Sequence, residues 1–169
     1  MTLIEFSGLP GTGKSTLALE LATRMRAVLL RIDTIEGALW RNGLQPEQTG
    51  VASYSVAHDL AAGHLVRGIP VVADAVNAVE PARAGWRELA KEVGVHHHVI
   101  ETWCSDPQEH RRRVETRTID IRDFPRPSWE WVRGIADEYE PRTDKRLTVD
   151  TTHDLEDCLR QVLNYCTAK

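Results

Sequence analysis

The stretch Gly8-Leu9-Pro10-Gly11-Thr12-Gly13-Lys14-Ser15 fits the pattern G-x-x-x-x-G-K-[ST], in which a glycine-rich loop surrounds phosphate groups. Residues 2–6, just before it, form a short apolar run that predicts a buried strand. Residues 16–22, just after it, carry a helical pattern. Strand, glycine-rich turn and helix are the setting that this motif requires. An ordinary glycine-rich turn would not account for a lysine and a serine at the helix start, so the sequence predicts a nucleotide-binding loop.

The loop residues predict both phosphate and metal binding. Glycines let the backbone approach phosphate oxygens closely, and the start of the following helix adds free N–H groups and a positive dipole end. Lys14 is the candidate catalytic charge for the β- and γ-phosphates of ATP, and the Ser15 hydroxyl is a candidate Mg²⁺ ligand. The residues expected to contact the nucleotide here are Gly8, Leu9, Pro10, Gly11, Thr12, Gly13, Lys14, Ser15 and Thr16.

Composition limits the protein class. A chain of 169 residues with 41% hydrophobic and 27% charged residues is typical of one globular domain, expected to span residues 1–169. The net charge of −4 argues against a large non-specific nucleic-acid surface. Three cysteines without a C-x-x-C pair indicate reduced thiols in a cytoplasmic protein. No apolar run approaches the ~20 residues of a membrane span, so no membrane partner is expected. A strand and the phosphate loop follow the first residue directly, so no signal segment is expected either.

The rest of the chain alternates predicted strands and helices. Strands are predicted at residues 28–32, 70–74, 95–103 and 147–149, and helices at 34–41, 49–67, 81–93, from 106 onward, 128–139 and 153–165. This alternation predicts an α/β fold with a parallel sheet covered on both faces. Ligands of such sheets bind beyond the carboxyl ends of the strands, where the loop at Gly8, Asp33 and Asp74 should therefore meet.

Two aspartates at predicted strand ends are candidates for chemistry. Asp74 follows the apolar run at residues 71–73, where a carboxylate could hold Mg²⁺ directly or through water; the alternative is a turn residue. Asp33 is a candidate general base that accepts the proton of an incoming hydroxyl. Its alternative role is to cap the helix predicted to begin at Thr34, and the two roles are compatible.

Arginines cluster around the segment at residues 111–128, which also contains two prolines. Arg113 and Arg117 are four residues apart and share one helical face, so we expect them to stabilise the transferring phosphoryl group from a lid. The alternative is a solvated helix face, to which Arg111 and Arg112 are assigned.

The helices predicted at residues 34–41 and 49–67 are expected to wall an acceptor pocket. The candidates for lining it are Glu36, Arg41, His58 and Asp59. Trp131, near the start of a later predicted helix, is interpreted as a packing residue, with a wall of the acceptor pocket as the alternative.

These residues together resemble the small P-loop kinases, a group that includes adenylate kinase, chloramphenicol phosphotransferase, gluconate kinase, zeta toxins and the AAA-domain polynucleotide 5′-hydroxyl kinases. The resemblance spans nearly the whole chain and rests on residues 8–15, 31–33, 72–77, 104–107 with Arg113 and Arg117, 139–141 and 149–151. It implies a three-layer P-loop sandwich of strand order 2-3-1-4-5 with an arginine-bearing lid. It also implies that Asp33 activates the acceptor, that the two arginines touch ATP, and that Asp150, Thr151 and Thr152 lie near the base.

The sequence thus predicts an ATP- and Mg²⁺-dependent kinase with a small-molecule hydroxyl acceptor. No stretch matches the acceptor signature of a particular kinase. A polynucleotide 5′-hydroxyl kinase is the first alternative, although interleaved basic and aromatic residues are lacking. An ATP-binding or ATP-hydrolysing regulatory module is the second. A GTPase is disfavoured because the Asn-Lys-x-Asp motif expected of that family is missing.

Overall fold

A five-stranded parallel sheet forms the centre of the protein, which was analysed as a computed structural model describing residues 1–167. The strands are β1 (Thr2–Ser7), β2 (Val28–Arg31), β3 (Val71–Asp74), β4 (His96–Trp103) and β5 (Leu147–Asp150). They pair in the order β2-β3-β1-β4-β5, and every pairing is parallel. The predicted strand order 2-3-1-4-5 is therefore confirmed.

Helices cover both faces of this sheet. The seven found within residues 1–167 are α1 (Lys14–Met25), α2 (Ile32–Arg41), α3 (Pro46–Leu65), α4 (Glu80–Val93), α5 (Pro107–Thr116), α6 (Trp129–Glu138) and α7 (Leu155–Thr167). None of these helices combines the length and the apolarity that crossing a bilayer requires.

The two faces of the sheet carry separate hydrophobic cores. Leu3 of β1 packs with α3 and α4 around the buried Trp86, whereas Ile4 and Phe6 pack with α1 and α7 around Leu159. Successive side chains of a strand point to opposite faces, which is why neighbouring β1 residues join different cores. The result is the expected three-layer α/β arrangement.

The boundary between β2 and α2 differs from the prediction. The strand ends at Arg31 and the helix begins at Ile32, so Asp33 lies in the first turn of α2 and neither closes the strand nor caps the helix. Ile32 is buried in the core beside α3 and α4, and this burial continues the apolar run into the helix. A carboxylate in a first helical turn is still favourably placed at the positive end of the helix dipole.

Helix α3 also begins earlier than predicted, at Pro46 instead of residue 49. Gln45 and Gln48 exchange side-chain-to-backbone hydrogen bonds in a capping box, and a proline at the first helical position needs no N–H partner. The helix therefore begins directly at Gln45-Pro46.

Candidate active site

The phosphate-binding loop connects β1 to α1 at the carboxyl edge of the sheet. Gly13 stands at the helix start with φ +78°, a left-handed conformation in which a side chain would be strained. Gly8 is fixed by packing, since a Cβ there would lie 2.4 Å from the carbonyl oxygen of Thr102. These constraints explain why glycine occupies both positions.

Side chains behind the loop hold its backbone in place. The Thr12 hydroxyl donates to the Leu9 carbonyl at 2.8 Å, and the Thr151 hydroxyl donates to the Thr12 carbonyl at 2.8 Å. The His110 ring nitrogen Nε2 lies 2.8 Å from the Pro10 carbonyl oxygen. The loop is thereby pre-organised, which reduces the entropy lost when a phosphate binds.

A large cleft of about 1670 Å³ opens above the loop. It exceeds the ~300–1,000 Å³ usual for one small ligand, so it has room for a nucleotide and a second molecule. The loop residues that line it are Pro10, Gly11, Gly13, Lys14, Ser15 and Thr16. The other predicted loop contacts, Gly8, Leu9 and Thr12, instead border a smaller cavity of about 490 Å³.

An alternating chain of charges lies at the base of the cleft, where Lys14, Arg31 and Asp120 line it and Asp74 lies buried behind them. Lys14 Nζ lies 3.0 Å from Asp74 Oδ1, and Arg31 Nε lies 3.3 Å from the other oxygen of the same carboxylate. Arg31 also binds both carboxylate oxygens of Asp120, at 2.5 and 3.3 Å. Lys14 and Asp74 are buried, so these charges stabilise one another in a low-dielectric setting.

The oxygen donors near Lys14 suit a magnesium ion. Asp74 Oδ1 is buried and receives no hydrogen bond of good geometry, although Lys14 lies close to it. Ser15 lines the cleft next to Lys14. Carboxylate and hydroxyl oxygens are ligands that Mg²⁺ accepts, so Ser15 and Asp74 fit the metal that the sequence predicts.

Two carboxylates of α2, Asp33 and Glu36, line the same cleft as Lys14. Glu36 accepts a hydrogen bond of 3.4 Å from the Ser53 hydroxyl. Burial, reinforced by the neighbouring charge of Asp33, raises the pKa of Glu36 from its ordinary value to about 7. The two side chains therefore interact electrostatically within the cleft.

Helix α3 supplies Tyr54 and His58 to the same wall of the cleft. Of the four predicted acceptor-pocket residues, Glu36 and His58 line the cleft and the other two do not. Arg41 turns away and donates to the carbonyl of Arg122 at 2.8 Å, while Asp59 is exposed on the outer side of α3. Helical geometry explains both cases, because neighbouring positions on a helix point in different directions.

The segment between α5 and α6, residues 117–128, has no regular structure and packs against α2. Phe124 stacks on Trp40 with ring centroids 4.9 Å apart, and Ile121 is buried. Arg117 and Arg113 both line the cleft at its loop side. The segment thus bridges the predicted arginines and the helix that bears Asp33.

Arg113 is held by the turn after β5. Its guanidinium donates to the hydroxyl and to the carbonyl of Thr151, both at 3.0 Å, and also binds Glu109. Asp150 and Thr152 lie in the same turn, where the Asp150 carboxylate accepts from the backbone N–H groups of Ser105 and Thr152. This turn contacts the phosphate loop through Thr151 but is not part of the cleft lining.

Sequence reasoning assigned no role to four residues that shape the site. Arg31 and Asp120 form the ion pairs at its floor, and Tyr54 forms part of its wall. Asn77 is fully buried, donates to the Phe6 carbonyl at 3.1 Å and adopts φ +50°, which asparagine tolerates. Two of the four could have been found from the sequence, because Arg31 lies near the end of a predicted strand and Asn77 follows Asp74 by three residues.

The fold and this site define a P-loop kinase of the three-layer α/β class. A protein-family profile described as AAA domain (AAA_33) matches residues 3–141, and the chain belongs to that family.

Relatives of known name agree with this class. An adenylyl-sulfate kinase of Acaryochloris marina (strain MBIC 11017) is 28% identical over 172 residues, covering 97% of this chain and 80% of its own. A candidate kinase from Chloroflexus aurantiacus j-10-fl shares the fold with a TM-score of 0.77 at 21% identity, covering 99% of this chain and 96% of that one. The Mycobacterium tuberculosis APS kinase CysC, solved with AMPPNP and APS, has a TM-score of 0.72 at 15% identity and covers 99% and 98%. The protein is accordingly a kinase that phosphorylates a small molecule at the expense of a nucleotide.

Proposed function

We propose that the protein transfers the γ-phosphoryl group of Mg·ATP to a hydroxyl group of a small molecule, with Asp33 as the general base. The observation that supports this most directly is that Lys14 and Asp33 line one cleft with room for two ligands. A base across from the phosphate loop is positioned to meet an acceptor hydroxyl, and phosphoryl transfer depends chiefly on such positioning and on charge neutralisation.

The donor end would bind ATP through the loop N–H groups and Lys14. Ser15 and Asp74 would hold Mg²⁺, whose charge offsets that of the phosphates. Arg113, anchored on Thr151, would contact the nucleotide from the side of the β5 turn, where Asp150 and Thr152 also lie. This assignment follows the resemblance to P-loop kinases and fits the orientation of the turn toward the loop.

At the acceptor end, Asp33 would take the proton of the acceptor hydroxyl as its oxygen forms a bond to the γ-phosphorus. The bond between the γ-phosphorus and the bridging oxygen breaks, and ADP leaves with the electron pair. Residues 117–128 would act as the lid, because the segment reaches from Arg117 to α2. Its closure would exclude water, which otherwise competes with the acceptor.

Adenylyl-sulfate, which the names of the adenylyl-sulfate kinase relatives give as a substrate, does not match the charges of this cleft. It is an anion, and the wall formed by α2 carries the carboxylates of Asp33 and Glu36. The neighbouring Arg31 is already paired with Asp74 and Asp120. Like charges at close range disfavour binding, so the acceptor is expected to differ.

The test is a screen of fractionated metabolites with γ-labelled ATP and Mg²⁺, read by mass spectrometry. The expected result is a phosphorylated small molecule that forms with the wild type and not with Lys14→Ala. Steady release of phosphate without any phosphorylated product would support a regulatory ATPase instead. Labelling of a 5′-hydroxyl oligonucleotide would support a polynucleotide kinase.

A further inference from the structure

The charges lining the cleft are divided between its two ends. The phosphate-loop end presents the cations Lys14, Arg113 and Arg117, as a nucleotide triphosphate requires, together with the carboxylate of Glu20 farther along α1. The opposite end, formed by α2, α3 and α6, presents the carboxylates of Asp33, Glu36 and Glu138. The division implies that the two ligands of this cleft differ in charge.

The carboxylates at the acceptor end have no ionic partner of their own. Within residues 1–167, no ion pair involves Asp33, Glu36 or Glu138, whereas Lys14, Arg31 and Arg113 each bind a carboxylate. Asp33 and Glu36 are partly buried, whereas Glu138 is exposed. Burying the charge of Glu36 is costly, which raises its pKa to about 7, and a cationic ligand that pairs with the ionised carboxylate relieves that cost.

The cations nearest to the acceptor end are already engaged or neutral. Arg31 is shared between Asp74 and Asp120, so its charge is balanced. Arg126 is exposed and points toward the Glu115 carbonyl, at 3.5 Å. Burial lowers the pKa of His58, which therefore contributes no positive charge at neutral pH.

Aromatic rings form the walls around these carboxylates. Trp40 and Phe124 stack on each other where α2 meets residues 117–128, and Tyr54 completes the side formed by α3. Trp131 of α6 is 54% exposed although it lines the cleft, which is unusual for a tryptophan that only packs. Aromatic faces attract ammonium groups and apolar ligand surface.

We propose, on the basis of the phosphotransferase function above, that the acceptor is a hydroxyl compound carrying a positively charged amine next to an aromatic or apolar group. Glu36 binds the ammonium group, Asp33 faces the hydroxyl, and the aromatic walls contact the apolar part. This arrangement places opposite charges at the two ends of the cleft. An anionic acceptor would meet two carboxylates, and a sugar without an amine would leave them unpaired.

Three matched probes test this acceptor class: 2-amino-1-phenylethanol, its N-acetyl derivative and mandelate. They share a phenyl ring and a hydroxyl but carry an ammonium, a neutral amide and a carboxylate, respectively. Binding is measured by calorimetry with the enzyme saturated with Mg²⁺ and a non-hydrolysable ATP analogue. We expect the amine to bind at least ~10-fold more tightly than either of the others, the size of one charge-assisted hydrogen bond. Equal binding, preference for mandelate, or no binding of the amine would overturn the proposal.

Variants of the acidic wall, formed by Asp33 and Glu36 of α2, make this test more specific. Glu36→Gln should reduce the preference for the amine to within ~2-fold, because a neutral amide cannot replace the carboxylate. Asp59→Asn, an exposed position of α3 outside the cleft, is the matched control and should keep the preference. A Glu36→Gln enzyme that still prefers the amine tenfold would contradict the assigned contact.

The metabolite screen separates this proposal from the function on which it rests. Phosphorylation of an anionic or neutral metabolite would overturn the acceptor class and leave phosphotransfer intact. Conversely, if the enzyme binds the amine probe tightly but only hydrolyses ATP, the proposed phosphotransfer would be overturned and the preference of the cleft for an amine would stand.

Discussion

The two ends of the cleft are built in different ways. The donor end is centred on one continuous stretch, residues 8–16, to which the arginines after β4 add charge; hydrogen bonds from Thr12, Thr151 and His110 fix its backbone. The acceptor end is assembled from α2, α3, α6 and residues 117–128, and side chains supply its chemistry. Phosphates of a nucleotide always have the same shape, so a backbone loop suits them. Acceptors vary, so specificity falls to side chains on separate elements.

The largest effect is expected at the donor end, where the charges are least replaceable. Lys14→Ala should lower kcat on the order of 10³-fold, because Lys14 is the charge that the phosphate loop itself brings to the β- and γ-phosphates. Turnover of ATP in the presence of the acceptor is the measurement. Lys91→Ala, an exposed lysine of α4, is the matched control and should keep full activity. An active Lys14→Ala enzyme would show that the loop does not bind the reacting phosphates.

The next largest effect is expected at Arg117, directly after α5, in comparison with Arg111 within α5. Arg117→Ala should lower kcat on the order of 10²-fold, the usual cost of removing one group that stabilises transition-state charge. Arg111, which is exposed and pairs with Glu115, is the control, and its alanine variant should behave like the wild type. An equal fall in kcat in both variants would contradict a specific role for Arg117 in stabilising the transition state.

A smaller effect is expected where residues 117–128, the proposed lid, meet Arg31 at the base of the cleft. Asp120→Ala removes the ion pair that holds residues 117–128 against Arg31, and it should raise hydrogen exchange in that segment by ~2–5-fold, as for other exposed pairs. Asp123→Asn is the control, since the ion pair given for Asp123 within residues 1–167 is with the exposed Arg122 of the same segment and asparagine tolerates its φ of +57°. Identical exchange in the two variants would mean that the Arg31 contact does not hold the lid.

The smallest effect concerns the acidic wall and the pH. Because the folded protein raises the pKa of Glu36 from 4.5 to about 7, the folded state holds this proton to a higher pH than the unfolded state does. The contribution of Glu36 to stability is therefore present below pH 4.5 and is lost as the pH rises to 7. Glu36→Gln has no ionisable group at this position, so its folding stability does not fall in this way as the pH rises.

Thermal unfolding of Glu36→Gln against the wild type checks this sign. The variant should gain relative to the wild type between pH 5 and pH 8 by on the order of 1 kcal/mol, or roughly 2–4 °C in Tm, once partial exposure is allowed for. Glu92→Gln, an exposed carboxylate of α4, should show no such gain. A constant Tm difference across this range would contradict the raised pKa.

The parts of the fold and site that could be predicted from the sequence depend on local signals. The loop motif and the alternation of strands and helices predicted a parallel α/β sheet with a phosphate site at its carboxyl edge, and the strand order was implied by the resemblance to P-loop kinases. The end of β2 was placed one residue too late, because a buried isoleucine such as Ile32 fits the last position of a strand as well as the first position of a helix. Its packing against α3 in the folded protein favours the helix. Propensity at one residue does not resolve such a boundary.

Contacts between distant segments were beyond sequence reasoning. The pair of Arg31 with Asp120 joins residues 89 positions apart, and the stack of Trp40 on Phe124 depends on how residues 117–128 fold back over α2. Asp59 and Arg41 were wrongly placed in the cleft, because the rotation of each helix about its axis is set by tertiary packing.

The measurement that tests the division of the cleft most directly is Asp33→Asn, assayed for phosphoryl transfer and for ATP affinity side by side. Asp33 belongs to the acceptor end, so transfer to the acceptor should fall by ~10²–10⁴-fold, the usual contribution of a general base, while the Kd for ATP stays within ~3-fold. Asparagine keeps the size of the side chain and removes only its basicity. Full transfer activity in Asp33→Asn, or an equal loss of ATP affinity, would contradict the assignment of Asp33 to the acceptor.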